Sequence, residues 1–181
     1  MKEIERKIFD INPQEVAQKL LDLGAEKTFS GLVKVRYFDT VDSKIRNQGD
    51  LLRVRQFEGA HVEVVYKTNK QIEDGCKIYD EYTLKGESFE DATKLFENLG
   101  FAVCCTYEKT RTIFKLENAE VVIDEYPKMD PFVEVEAGDA KTIDEIVSRL
   151  GLTENESSCE TINELIKRKY PDLDLNNLTF E

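Results

Sequence analysis

The chain has 181 residues, of which 40% are hydrophobic and 34% charged, a length and balance that suit one compact domain over two small ones. Its formal net charge of -12 argues against general nucleic-acid binding, although a small polyanion in a pocket responds to the local field and not to the total. No apolar run is long enough to cross a bilayer and no signal-like stretch follows the charged N-terminus, so a soluble, cytoplasmic protein without membrane contact is expected.

In chain order, MKEIERKIFD reads as a strand with Glu3, Glu5 and Lys7 on one face and Ile4 and Ile8 on the other. NPQEVAQKLLDLG then predicts a helix: Asn12 caps it, Pro13 suits its first turn, Val16, Ala17, Leu20 and Leu21 share a face, and Gly24 stops it. SFEDATKLFENLG and DAKTIDEIVSRLG repeat that pattern, each ending at Leu-Gly. Between the helices, strands are predicted at 31–38, 51–57, 61–68, 77–84, 101–116, 120–125 and 132–137, which makes eight with the opening strand. SKIRNQGD reads as a turn, KTNKQIEDG as a polar, mobile loop, TINELIKRKY as a final helix, and PDLDLNNLTFE as a loosely packed tail.

The four cysteines, Cys76, Cys104, Cys105 and Cys159, have neither metal-ligand spacing nor the density of a disulfide scaffold. They are read as free thiols, with Cys104 and Cys105 on opposite faces of a strand. The single histidine, His61, fits a surface or edge position, so multi-imidazole metal sites and histidine-based triads have little to draw on.

The charge pattern is the main functional signal. Arg53 and Arg55, Glu63 and Lys67, Lys109 and Arg111, Asp124, and Glu134 and Glu136 fall on one face of their strands, with Leu52, Val54, Val64, Ile123, Val133 and Val135 on the other. For any single strand, a solvated ionic face over an apolar core explains this. However, acids pair as Glu-x-Glu at both ends of the strand series, while cations pair in the middle. If the sheet closes into a barrel, the ionic face lines a lumen where unpaired charge costs several kcal/mol. Carboxylates from the first and last strands would suit Mg²⁺ or Mn²⁺, and Arg and Lys would suit phosphoryl oxygens, which together describe a polyphosphate-metal site. No P-loop is present.

Glu3-x-Glu5-x-Lys7, followed in order by YFDT, LLRVR, VVYK, LFENLGF, EKTR, VVIDEYP and PFVEVE, resembles the CYTH group, the triphosphate tunnel metalloenzymes, over residues 1 to 151. The resemblance implies an α+β fold, an eight-stranded antiparallel tunnel with helices packed outside, as a single domain over 1–181 with a C-terminal helix and tail from about 152. It implies a small-molecule triphosphate as substrate, with Mg²⁺ or Mn²⁺ as cofactor. Glu3, Glu5 and Glu136 would ligate metal, with Glu134 and Asp124 close by. Arg53, Arg55, Lys67, Lys109 and Arg111 would hold phosphates. Lys7 would contact phosphate or help activate water, with Tyr37 and Lys67 as further candidates for activation.

The chain departs from the family pattern in two places. Val33 and Val35 stand where many members carry Gln-x-Asp, which leaves open whether they or Lys34 and Arg36 face the tunnel. In KIYDEYTL, Tyr79 and Thr83 replace the usual charges. The leading expectation is a metal-dependent triphosphatase, with a class IV adenylate cyclase as the alternative and a non-catalytic polyphosphate-binding module as a third reading. A homodimer through a barrel edge or the final helix is compatible with the sequence.

Overall fold

The computed structural model describes residues 2–176 and 178–180, with side chains from Ile4 onward. Eight strands carry the fold: β1 (Lys2–Ile8), β2 (Glu26–Asp39), β3 (Leu51–Phe57), β4 (Val62–Glu73), β5 (Cys76–Gly86), β6 (Ala102–Leu116), β7 (Ala119–Glu125) and β8 (Phe132–Ala137). They pair antiparallel in the order β5-β4-β3-β2-β6-β7-β8-β1, and β1 also pairs with β5, which closes the sheet into a barrel. A two-residue strand, β9 (Ser157–Ser158), adds to the far side of β1.

Three helices match the three Leu-Gly repeats: α1 (Pro13–Asp22), α3 (Phe89–Asn98) and α4 (Ala140–Arg149); a short α2 (Lys44–Asn47) and a final α5 (Ile162–Lys169) complete the set. Asn12, Ser88 and Asp139 accept hydrogen bonds from first-turn amides, as their cap positions require. The outward face of β1, β6, β7 and β8 packs against α1 and α4 through Ile4, Ile8, Leu20, Val121, Val133, Ile143 and their neighbours. Phe38, Leu52, Val54 and Val62 pack against Phe89 and Phe96 of α3. The apolar outer face of the barrel is thus the core, and the charged face turns inward.

Four expectations are corrected. KTNKQIEDG is no mobile loop: β4 runs to Glu73, β5 begins at Cys76, and Asp74 and Gly75, both at positive φ (50° and 67°), make the two-residue turn that a twisted hairpin favours. The tail is not loose, because Leu175 and Leu178 are buried and the Leu178 carbonyl accepts the Glu108 amide at 2.8 Å. Cys104 and Cys105 do not take opposite faces: the pairing of β2 with β6 slips between Tyr37 and Phe38, Cys104 is the extra residue, and both line the same cavity. SKIRNQGD contains α2, whose first amides at Ile45 and Arg46 donate to Asp39. The cysteines are free, as expected. Among the described residues no helix is long and apolar enough to cross a membrane.

Candidate active site: a charged tunnel through the barrel

Directly opposed residues of an antiparallel pair share a face, so the register alone builds the lumen wall. Lys7 faces Glu134 and Glu5 faces Glu136 across β1 and β8; Glu120 faces Glu136 across β7 and β8. Across the closing seam of β1 and β5 Glu5 faces Lys77; Lys67 faces Glu81 across β4 and β5, and Arg55 faces Glu63 across β3 and β4. Val33, Val35 and Tyr37 oppose Lys109, Tyr107 and Cys105 on one side and Phe57, Arg55 and Arg53 on the other. This decides the open question on β2: the valines face the tunnel. Lys34 points outward to Glu108, and Arg36 points outward to Glu90 on α3.

The walls enclose a cavity of about 910 Å³. Phe9, Val33, Tyr37, Tyr107, Tyr126 and Phe132 form an apolar cluster with Ile162, Leu165 and Ile166, so α5 packs over one end of the lumen. Lys70 and Glu164, 3.1 Å apart, tie α5 to β4. His61, at the other end, stacks on Phe57 (centroids 4.8 Å apart) and meets Glu63 at 2.9 Å, consistent with its expected edge position.

Two ion clusters dominate the interior. In the first, Glu5 is surrounded by lysines: Lys7 at 3.1 Å and Lys77, both on Oε1, and Lys67 at 3.6 Å from Oε2. Lys7 also bonds Glu134 at 2.6 Å, and Lys67 bonds Glu81 at 2.9 Å. Burial pushes the Glu5 carboxyl up, but Lys7, Lys77 and Lys67 outweigh it and hold it well below the usual range. Burial likewise opposes the charge on Lys7, yet Glu134 and Glu5 raise that ammonium well above its ordinary value. Lys77 goes the other way: burial and then the neighbouring Lys7 pull it down to about 8.

The second cluster is built on Asp124. Arg111 reaches it with two parallel bonds, Nε at 2.7 Å and Nη2 at 2.6 Å, and Lys109 adds a third at 2.8 Å. These cations overcome burial and keep the Asp124 carboxyl far below its usual value. Between the clusters, Arg55 bonds Glu63 at 2.7 Å. The buried Nε atoms of Arg53 and Arg55 have no hydrogen-bond partner among the described residues.

Glu5, Lys7, Tyr37, Arg53, Arg55, Lys67, Lys109, Arg111, Asp124, Glu134 and Glu136 therefore all line one cavity. Tyr37 is buried, with its hydroxyl 3.2 Å from that of Tyr107. Glu3 lies outside the residues whose side chains are described. The sequence reading did not single out Lys77, Glu81, Glu120, Tyr107 or Tyr126 as site residues. The signal for the first two was present, since Lys77, Tyr79 and Glu81 share the period of two, but only barrel closure shows that this face meets Glu5.

A divalent metal can be tested against this donor set. Among the described residues no three His, Cys, Asp or Glu side chains are already grouped as a cage. The chemistry fits nonetheless: Glu5 and Glu136 oppose each other, Glu134 is on the same face of β8, and carboxylate oxygens suit Mg²⁺ or Mn²⁺. Asp124 is instead fully engaged as counter-ion to Lys109 and Arg111.

Comparison with known proteins agrees with this architecture. A Methanocaldococcus jannaschii protein named "Putative adenylate cyclase" is 30% identical over 136 residues, which cover 75% of this chain and 77% of that protein. A Pyrococcus horikoshii structure superposes with a TM-score of 0.69 at 28% identity, covering 85% of this chain and 94% of that one. A Hippeastrum structure, described as an adenylyl cyclase candidate that reveals a dominant triphosphatase activity, shares the fold with a TM-score of 0.69 at 13% identity, covering 92% and 94%. A family model for the CYTH domain matches residues 1–162, and with an ion-lined, closed eight-stranded tunnel the chain belongs to the CYTH family.

Proposed function

We propose that the protein is a metal-dependent triphosphatase that hydrolyses the terminal anhydride of a small triphosphate inside the tunnel. The observation that carries this reading is the pair of buried guanidinium Nε donors on Arg53 and Arg55, left without partners among the described residues in a lumen already crowded with Lys67, Lys109 and Arg111. Buried donors of this kind call for an anion with many acceptor oxygens. The Hippeastrum protein of the same fold is described as chiefly a triphosphatase, which favours hydrolysis over cyclisation.

In this reading Arg53, Arg55, Lys109 and Arg111 grip the phosphate chain, and Asp124 keeps the last two fixed in direction. Glu5 and Glu136, with Glu3, would hold Mg²⁺ or Mn²⁺, with Glu134 close by as the partner of Lys7; the metal would neutralise charge developing on the phosphoryl oxygens. Lys7, placed between Glu5 and Glu134, either contacts the terminal phosphate or orients the attacking water. Lys67 and Tyr37 line the same cavity as further candidates for that orientation. Catalysis is then positioning and charge stabilisation.

The test is a product panel. Purified protein is incubated with tripolyphosphate, thiamine triphosphate or ATP plus Mg²⁺ or Mn²⁺, and orthophosphate, pyrophosphate and cyclic AMP are measured. Orthophosphate release supports the hydrolase. Cyclic AMP with pyrophosphate establishes the cyclase, which the name of the Methanocaldococcus relative favours. Binding without either product leaves a binding module.

A further inference from the structure

Three ammonium groups share the Glu5 carboxylate, but they are not equivalent. Lys7 has a second carboxylate in Glu134, at 2.6 Å, and Lys67 has one in Glu81, at 2.9 Å. Lys77 bonds Glu5, and among the described residues no other carboxylate lies within ion-pairing distance of it, although Glu134 attracts it from further off; it shares the Glu5 oxygen with Lys7, and the ring of Tyr79 has its centroid 5.8 Å away. Only 4% of Lys77 is exposed, so its ammonium is largely shielded from bulk water and faces the lumen. A buried ammonium deprived of its counter-ion is costly, and another anion in the lumen relieves that cost.

This asymmetry has a consequence when Glu5 turns to a divalent cation, as its place in the proposed donor set requires. Lys7 stays on Glu134 and Lys67 stays on Glu81. Lys77 is left facing the lumen without a partner. We propose that Lys77 is a further substrate-binding residue: it guards Glu5 in the metal-free tunnel and takes a phosphoryl oxygen of the triphosphate once metal has claimed that carboxylate. The inference rests on the triphosphate reading above and deepens it. It also makes metal and triphosphate binding mutually reinforcing, because each ligand satisfies the partner that the other releases.

Lys77 lies on the inward face of β5, directly opposite Glu5 of β1. Tyr79, the next inward residue, carries no charge, and Lys77 brings the cation to the level of Glu5 instead. A phosphate held there lies against Lys7 and Lys67, on the same side of the lumen as the metal-ligand candidates.

Binding measurements test this without relying on turnover. Wild type, Lys77→Met and Lys77→Arg are titrated with Mn²⁺ alone, following free Mn²⁺ by electron paramagnetic resonance, and then by calorimetry with diimidotriphosphate, a nitrogen-bridged tripolyphosphate analogue, in Mn²⁺ buffer. Lys77→Met is expected to bind the analogue about tenfold or more weaker, the loss of one charge-assisted contact. It is expected to bind Mn²⁺ alone as tightly as wild type or more tightly, since a competing cation has gone. Lys77→Arg recovers most of the analogue affinity. Lys77→Gln carries the same expectation as Lys77→Met and replaces it if that variant does not fold. Unchanged analogue affinity in the neutral variants overturns the proposal, as does a parallel loss of Mn²⁺ binding, which would show that Lys77 only props up Glu5. Wild-type binding of the analogue without hydrolysis of tripolyphosphate would instead overturn the triphosphatase reading and leave the role of Lys77 standing.

Discussion

The Glu5 and Asp124 clusters are both buried carboxylates ringed by cations, yet they are built for different tasks. Asp124 is clamped by the planar fork of Arg111 and by Lys109, all at 2.8 Å or less. Glu5 is held by three lysines, point charges on flexible stems, two of which keep another carboxylate in reserve. A bidentate guanidinium pair fixes direction, whereas lysines can be exchanged. On the proposed function, Asp124 would serve positioning and Glu5 could trade its partners for a metal ion.

Several outcomes would break or sharpen that contrast, beginning with stability. Asp124→Asn leaves Arg111 and Lys109 buried without their counter-ion and should cost about 3–5 kcal/mol in urea unfolding. An unchanged midpoint would show that the cluster is not the rigid one. Glu5→Gln should cost less, about 1–3 kcal/mol, because Lys7 and Lys67 retain Glu134 and Glu81. The same variant should lose metal-dependent turnover while circular dichroism still reports a folded barrel; turnover at the wild-type rate would remove Glu5 from the site.

Acid provides a finer probe. Glu81 is held at about 2 against an ordinary 4.5, with Lys67 and a Thr83 hydrogen bond overcoming burial, and Asp124 is depressed as well. Both carboxyls bind protons more readily in the unfolded chain, so their contribution is whole above their unfolded values and is lost as pH falls through the folded ones. The melting temperature of metal-free protein should therefore fall steadily from about pH 4.5 towards pH 2. That acid limb should be shallower in Asp124→Asn; an identical slope would mean that Asp124 contributes nothing to it. The smallest effect is expected for Tyr37→Phe, which removes one buried hydroxyl pair with Tyr107 and should cost about 1 kcal/mol. If its turnover also falls more than stability explains, Tyr37 acts on the substrate itself.

Much of the fold was legible because its signals are local. Apolar spacing, Asn12 or Asp139 caps and Leu-Gly stops define three helices without tertiary help. The hairpin at Asp74–Gly75 was hidden because polar Thr68–Glu73 does not alternate, and its strand state depends on pairing with Cys76–Asp80. The slip that brings Cys104 and Cys105 to one cavity has no sequence mark. The tail's Leu173, Leu175 and Leu178 are too sparse among acids to predict their burial against Tyr107 and α5.

The candidate site divides in the same way. A period of two placed Glu5, Lys7, Arg53, Arg55, Lys109, Arg111 and Glu136 on the inner face, and the structure collects them in one cavity. Which carboxylate meets which cation depends on register and closure, so the sequence could not show that Asp124 is spent on Arg111 or that Lys77 faces Glu5. Val33 and Val35 were equally undecidable, because they alternate along β2 with Lys34 and Arg36, and either pair suits one face of the sheet.

The most direct test of the central claim is phosphorus-31 NMR of the purified protein with tripolyphosphate and Mg²⁺. The account predicts that the tripolyphosphate resonances give way to pyrophosphate and orthophosphate in equal amounts, and that Glu5→Gln stops the conversion. Tripolyphosphate that stays intact, while ATP under the same conditions yields cyclic AMP and pyrophosphate, would contradict it.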